Sequence, residues 1–237
     1  MFYRNEISSD LMLNARKNDI FIEGLNASLL LGHNINQRRL QNVTARGDNL
    51  TIPGYYNLNN ATVFTNGTAE GSFLNRIVGW YAQASFDWNN YLFVELTGRV
   101  DQSSTLPKGK NTYLYPSIAG SFVFTDAFKM KSTTLSYGKV RVSAARVGRD
   151  APPYVLQNVF SSSTFGNNVS GVTFPVTIGG TPVTGFSVAA TIANPNLEWE
   201  STTELNVGLD FAFFNNRISG AVEHYVSNTR NLLLTRS

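Results

Sequence analysis

The sequence predicts an all-β protein, an antiparallel transmembrane β-barrel wall of about eight strands. Three observations carry this expectation. Apolar residues recur at every second position through most of the chain, which is the period of an extended strand with two different faces. Charged residues supply only 15% of the 237 and hydrophobic ones 42%, yet no run approaches the roughly 18 apolar residues that a transmembrane helix needs. Finally, the connections are short and long by turns, and large aromatics gather beside the short ones, as in barrels with tight periplasmic turns, long outer loops and an aromatic girdle.

The hairpin Arg76 to Asp101 is the clearest unit. Its first arm sets Val78, Trp80, Ala82, Ala84, Phe86 and Trp88 on one face, against Gly79, Tyr81, Gln83, Ser85 and Asp87 on the other. The second arm opposes Leu92, Val94, Leu96, Gly98 and Val100 to Phe93, Glu95, Thr97, Arg99 and Asp101. Asn89 and Asn90 are left for the turn, and Asn tolerates the positive φ that a tight hairpin requires.

Along the chain, residues 4 to 15 read as a strand with Ile7, Leu11 and Leu13 on one face, and Lys17 to Asp19 as a short turn. Phe21 to Asn36 reads as a second strand. From about Arg46 to Ser72 the pattern gives way to Gly, Asn, Thr and the Pro53-Gly54 pair, which is loop chemistry. After the hairpin, Gln102 to Asn111 is a polar loop and Tyr113 to Phe124 a strand, in which Pro116 demands a bulge or a strand-end position. Asp126 to Leu135 is a turn, and Tyr137 to Val147 alternates Lys139, Arg141 and Ser143 with Val140, Val142 and Ala144. Gly148 to Asn196 is a long loop with a small hairpin around Phe174 to Phe186. Glu198 to Phe214 gives the cleanest alternation, with Leu205, Val207, Leu209 and Phe211 opposing Glu204, Asn206, Gly208 and Asp210. Asn215-Asn216 turns into a last strand from Arg217 to about Leu232.

Composition excludes several classes. Cysteine is absent, so there are no disulfides, thiolate metal sites or cysteine nucleophiles. The net charge is +3 with Lys and Arg scattered, which lacks the basic stripe of a nucleic-acid surface, so no nucleic acid is expected. His33 and His224 stand alone, no hydrolase or phosphate-loop motif is present, and no enzyme activity, metal or cofactor is expected. The N-terminus has no secretory leader, which points to a truncated chain of an exported protein.

Several stretches resemble a known family. They are RVDQSS at Arg99 to Ser104, YPS at Tyr115 to Ser117, KVRVS at Lys139 to Ser143, NPNLEWE at Asn194 to Glu200, and NVGLDFAFFNNRISGAVEHY at Asn206 to Tyr225. IPGYYNLNN at Ile52 to Asn60 and TRNLLL at Thr229 to Leu234 join them. In this order and spacing they are similar to SusC/RagA-type TonB-linked outer-membrane transporters. The resemblance implies that residues 1 to 237 are a partial barrel domain, about eight strands of a larger barrel without its plug and C-terminal strands. It also implies import of glycan or peptide oligomers across the bacterial outer membrane, with outer-membrane lipid around the wall, a SusD-like surface lipoprotein as a lid, and TonB acting through the plug.

The residues themselves nominate two sets. Glu95, Arg99, Asp101, Lys139, Arg141, Glu204, Asp210, Arg217 and Glu223 fall on the polar phase and are expected to face the lumen. Tyr55, Tyr56, Tyr113 and Tyr154 are loop aromatics that could stack on a ligand. Two readings from other classes stay open on periodicity alone: a self-contained eight-strand barrel with an adhesin or structural role, and a carbohydrate-binding β-sandwich.

Overall fold

The computed structural model describes residues 1–64, 69–163, 176–188 and 193–234. The strands along the chain are β1 (Phe2–Lys17), β2 (Leu25–Thr44), β3 (Gly47–Leu50), β4 (Ala61–Phe64), β5 (Ala69–Trp88), β6 (Leu92–Ser103) and β7 (Thr112–Val123). A one-turn helix, α1 (Phe124–Ala127), precedes β8 (Leu135–Arg149). Then come β9 (Phe160–Ser163), β10 (Val176–Ile178), β11 (Thr181–Val183), β12 (Gly185–Val188), β13 (Glu200–Phe213) and β14 (Ile218–Arg230).

Eight of these form one antiparallel sheet in the order β1-β2-β5-β6-β7-β8-β13-β14. It is an up-and-down meander whose strand length and register follow the two-residue period. One row across it reads Leu29, Ala84, Leu96, Ile118, Ala144, Leu205, Val226, and the adjacent row on the other face reads Ser28, Ser85, Glu95, Ala119, Ser143, Asn206, Tyr225. No second layer covers the apolar face: Leu96, Ile118, Leu205 and Val226 are between 43% and 57% exposed. A sandwich would bury these residues, so the sandwich reading fails on this face. The alternative of eight strands closing on themselves fails as well. Among the described residues β1 pairs only with β2 and β14 only with β13.

The turn at Asn89-Asn90 forms as expected, with φ of 50° and 58° and Tyr91 N–H donating to Trp88 O at 3.1 Å. Other boundaries differ from the sequence expectation. The first short turn runs over residues 18–24 rather than Lys17 to Asp19, because Asp19, Phe21 and Gly24 all take positive φ and Asp19 Oδ1 accepts from Gly24 N–H at 2.7 Å. β2 therefore starts at Leu25, not Phe21. At the far end β2 and β5 stay paired out to Thr44 and Ala69, past the expected strand end at Asn36 and into the last residues of the stretch expected to be loop. Twenty residues at about 3.3 Å each exceed what a tilted membrane crossing requires. The projecting part needs no apolar face, so its sequence gives no strand signal beyond Asn36 on β2 or before Arg76 on β5.

The long connections also contain more structure than expected. β3 pairs with β4, β9 with β12, and β10 with β11, so the hairpin foreseen around Phe174 to Phe186 exists from Val176 to Val183, although Phe174 lies outside the described residues. Pro116 brings no bulge: β6 and β7 stay in register through Gly98↔Pro116. The strand-end expectation is met toward β8, whose ladder with β7 stops at Ser117↔Ala145. Beyond that fork an aromatic wedge fills the gap. Tyr113 stacks on Trp199 at 5.3 Å, Tyr115 packs edge-on against both, and Tyr115 Oη donates to Gly148 O at 3.3 Å. Leu106, Tyr113 and Ala151 form the small buried core here, under the long loops.

Aromatic rings line the end that carries the short turns. Trp88, Tyr91, Phe122 and Phe128 touch in sequence at centroid distances of 5.6, 6.1 and 5.9 Å, and Phe211, Phe213 and Phe214 do so at 5.5 and 6.3 Å. The expected girdle is thus a set of packed rings.

The two open edges decide what the chain does by itself. Each backbone group left unpaired in hydrocarbon costs several kcal/mol, and β1 and β14 each present a full row. Expressed alone and refolded into detergent or lipid, residues 1–237 are expected to aggregate or remain an open sheet. Gel mobility with and without boiling checks this, and a compact heat-modifiable monomer would contradict it.

Candidate functional site

The polar face of the sheet forms one groove of about 940 Å³. All eight strands contribute to it, from Arg16 on β1 and Ser28 on β2 to Asn206 on β13 and Glu223 on β14. A single groove can touch every strand only if the sheet curves around its polar face, so the polar side is concave and the apolar side convex.

Within the groove the charges are organised as pairs laid flat along the wall. Arg141 on β8 donates from Nη2 to Asp210 Oδ1 at 3.1 Å, its Nε lies 3.0 Å from Asp210 Oδ2, and Glu223 Oε2 is 3.7 Å away. Asn206 donates to the other oxygen of Glu223. Gly208 eases this: a Cβ there would stand 3.0 Å from the Arg141 guanidinium, so a side chain at this position would push the arginine off its place across the strand. A parallel case is Gly32, whose missing Cβ would lie 2.1 Å from the ring of Tyr81. Arg99 donates from Nε to Asp101 Oδ1 at 2.7 Å and sits 5.6 Å from the Tyr81 ring centroid. Long inward side chains thus lie against the wall and leave the groove open.

Of the residues nominated from sequence, Glu95, Lys139, Arg141 and Glu223 line the groove directly. Glu204 and Asp210 share their face through β13. Asp101 is on the same phase but only 6% exposed, sealed by Arg99. Arg217 is not in a strand; it belongs to the turn before β14, where its N–H donates to Phe213 O at 3.1 Å. Among the tyrosines, Tyr55, Tyr56 and Tyr154 are 54%, 89% and 61% exposed in the long connections. Tyr113 is the correction. It lies in β7 at 4% exposure, stacked in the wedge, and has no free ring face to offer. The strand read from Tyr113 to Phe124 already included it, and what counting it among the loop aromatics overlooked is the burial of its ring against Trp199.

Sequence reasoning missed a polar clamp at the loop end. Asp150 Oδ2 accepts from Ser103 Oγ at 2.7 Å, Thr105 Oγ1 at 3.2 Å and Asn75 Nδ2 at 3.3 Å, and Ser103 is fully buried. It ties the start of the long connection after β8 to β5 and to the β6–β7 loop. The same loop is anchored from Lys110 Nζ to Glu198 Oε1 at 2.8 Å, a hydrogen bond that holds the Glu198 carboxyl below the usual range. A buried Ser and Thr two residues apart beside a half-buried carboxylate carry no periodic signature, so only the fold reveals them. Among the described residues no group of three or more His, Cys, Asp or Glu side chains is placed to hold a metal ion.

The Arg141 cluster gives a measurable coupling. Its side chains are partly exposed, so solvent screening keeps each contact weak. A double-mutant cycle of Arg141→Leu and Asp210→Asn in the full-length parent, followed by urea unfolding, is expected to show a small favourable coupling that shrinks with salt. Additive effects would mean that the two side chains act independently.

Comparison with known proteins places this geometry. Residues 3–237 match the family described as TonB dependent receptor-like, beta-barrel. The chain is 30% identical over 169 residues to the TonB-dependent receptor SusC of Bacteroides thetaiotaomicron, covering 67% of this chain and 15% of that protein. It is 26% identical over 183 residues to the TonB-dependent receptor P26 of Formosa agariphila, covering 76% of this chain and 17% of that protein. The chain therefore spans less than a fifth of the length of these relatives. Its fold superposes on a chain in the structure of the RagAB peptide transporter with a TM-score of 0.82 at 18% identity, covering 98% of this chain and 24% of that one.

Proposed function

The chain belongs to the TonB dependent receptor-like β-barrel family, and from that premise we propose that it is part of the wall of a transporter that imports glycan or peptide oligomers. A barrel of this family lies in the outer membrane and is not an enzyme. The observation that carries the reading is the pairing of faces: an exposed apolar convex side against a concave polar groove touched by all eight strands. That arrangement suits lipid outside and a hydrated interior within.

Residues 1–237 act in this reading as a partial barrel domain. Glu95, Arg99, Asp101, Lys139, Arg141, Glu204, Asp210 and Glu223 face the interior, where their paired charges contact a plug or a passing polar oligomer. Tyr55, Tyr56 and Tyr154 stand in the long connections at the outer rim, and stacking on sugar rings or peptide aromatics is the role that their exposure supports. TonB supplies the energy through the plug, and a SusD-like surface lipoprotein covers the outer rim, where the Asp150 clamp and the aromatic wedge make a firm seat. The likeness to SusC and to a peptide transporter supports an oligomer as cargo.

Uptake by cells carrying the full-length protein tests this. Labelled oligoglycan and oligopeptide are supplied in parallel, with and without the proton gradient. Accumulation of one of the two that requires both the protein and the gradient is the expected result. Gradient-independent passage of both would make the protein a passive pore.

A further inference from the structure

The convex face carries a groove of its own. It measures about 550 Å³ and is lined by Leu31, Trp80, Ala82, Gly98, Val100 and Leu114 among others. Its floor is set by small residues paired across the strands, Ala82↔Gly98, and a Cβ built on Gly98 meets nothing within 4 Å. Its side is the Trp80 indole, 64% exposed and held tilted against the His33 ring at 4.1 Å. Between the larger side chains of Leu31, Trp80, Val100 and Leu114, these facing small residues leave a local dent the width of a hydrocarbon chain.

Its height is informative. Trp80 is eight residues along β5 from Trp88 in the short-turn girdle, a rise of about 20 Å for a strand tilted near 40°. With an apolar band about 25 Å tall, the groove lies in the half of the membrane nearer the long connections. Directly above it on the same phase of the same strands stand Arg76, on β5, and Arg39, on β2, both exposed. Arg76 is steadied by Gln37, whose Oε1 accepts from its Nε and Nη2 at 2.9 and 2.7 Å. From Trp80 up to these arginines, the convex positions of β1, β2, β5 and β6 hold no carboxylate; they are Ser9, Ile7, Asn5, Ile35, Gln37, Val78, Gln102 and Leu74.

We propose that this is a binding site for an outer-leaflet lipid with a phosphate headgroup, one acyl chain lying in the Gly98 groove and the phosphate meeting Arg76 and Arg39. The apolar dent and the cations share one strand phase, separated by about the distance between a lipid's chain and its headgroup. The inference uses the lipid-facing assignment of the convex side but none of the transport reading, and failure of uptake would leave it untouched.

The test uses the full-length protein, extracted, delipidated and titrated with phosphatidic acid or with phosphatidylcholine of the same chains, with bound lipid read by native mass spectrometry. Phosphatidic acid is expected to bind in preference. Arg39→Gln with Arg76→Gln should weaken it about fivefold per arginine. Gly98→Leu, which fills open space and leaves the ladder intact, should reduce both lipids, and unchanged heat-modifiable mobility on gels confirms that each variant is folded. Equal binding of the two lipids, unaltered by any of these variants, would overturn the site.

Discussion

Hydrocarbon offers no hydrogen-bond partners, so every backbone N–H and C=O that crosses it must be paired within the protein, and the rest of this structure follows from that requirement. Between Leu25 and Phe213 the sheet meets it with continuous antiparallel ladders from β2 to β13. Once backbones are locked in ladders, side chains can point only to two faces, and the two faces meet two media. The period of two in the sequence is the trace of that division. Slipping β13 by one residue would turn Glu204 and Asp210 toward lipid, at a cost per acid somewhat below the roughly 2 to 4 kcal/mol of an Arg or Lys at the midplane, which is why register is fixed strand by strand.

Where the ladder is interrupted, side chains take over its work. At Pro116 the β7–β8 pairing ends, and Tyr113, Tyr115 and Trp199 wedge into the fork. Arg146 completes it, with its guanidinium 4.6 Å from the Trp199 ring and Nη2 donating to Ser201 at 3.3 Å. The Asp150 clamp fastens the same end from the β5 side. Stiffening is thus concentrated at the rim bearing the long connections, while the opposite rim is held by tight turns and a ring-to-ring aromatic belt.

Sequence periodicity made the eight strands and the phase of each face legible, because burial in lipid imposes the alternation directly, whereas the strand order emerges only from the ladders of the fold. It was silent wherever that pressure is absent. The upper halves of β2 and β5 stand beyond the hydrocarbon, so residues 37–44 fall outside the strand expected to end at Asn36, and residues 69–72 read as loop. Arg217 was placed on the strand phase by parity alone, although the positive φ of Phe214, Asn215 and Asn216 puts it in the turn. Tyr113, at the start of its expected strand, was counted with the loop aromatics, whereas its burial depends on Trp199, distant in sequence and brought close by the fork. The charges Glu95, Lys139, Arg141 and Glu223 were readable as one face; that Arg141 lies flat over Gly208 was not, since it depends on a cross-strand neighbour.

The account stands on adjacent residues of one strand meeting different media. Single cysteines at Glu204, Leu205, Asn206 and Val207 of the full-length parent, labelled in intact outer membranes with a lipid-confined and a water-soluble reagent, test it most directly. The expected result alternates: positions 205 and 207 react with the lipid-confined reagent, and 204 and 206 with the aqueous one. Uniform reaction of all four with the aqueous reagent would contradict it.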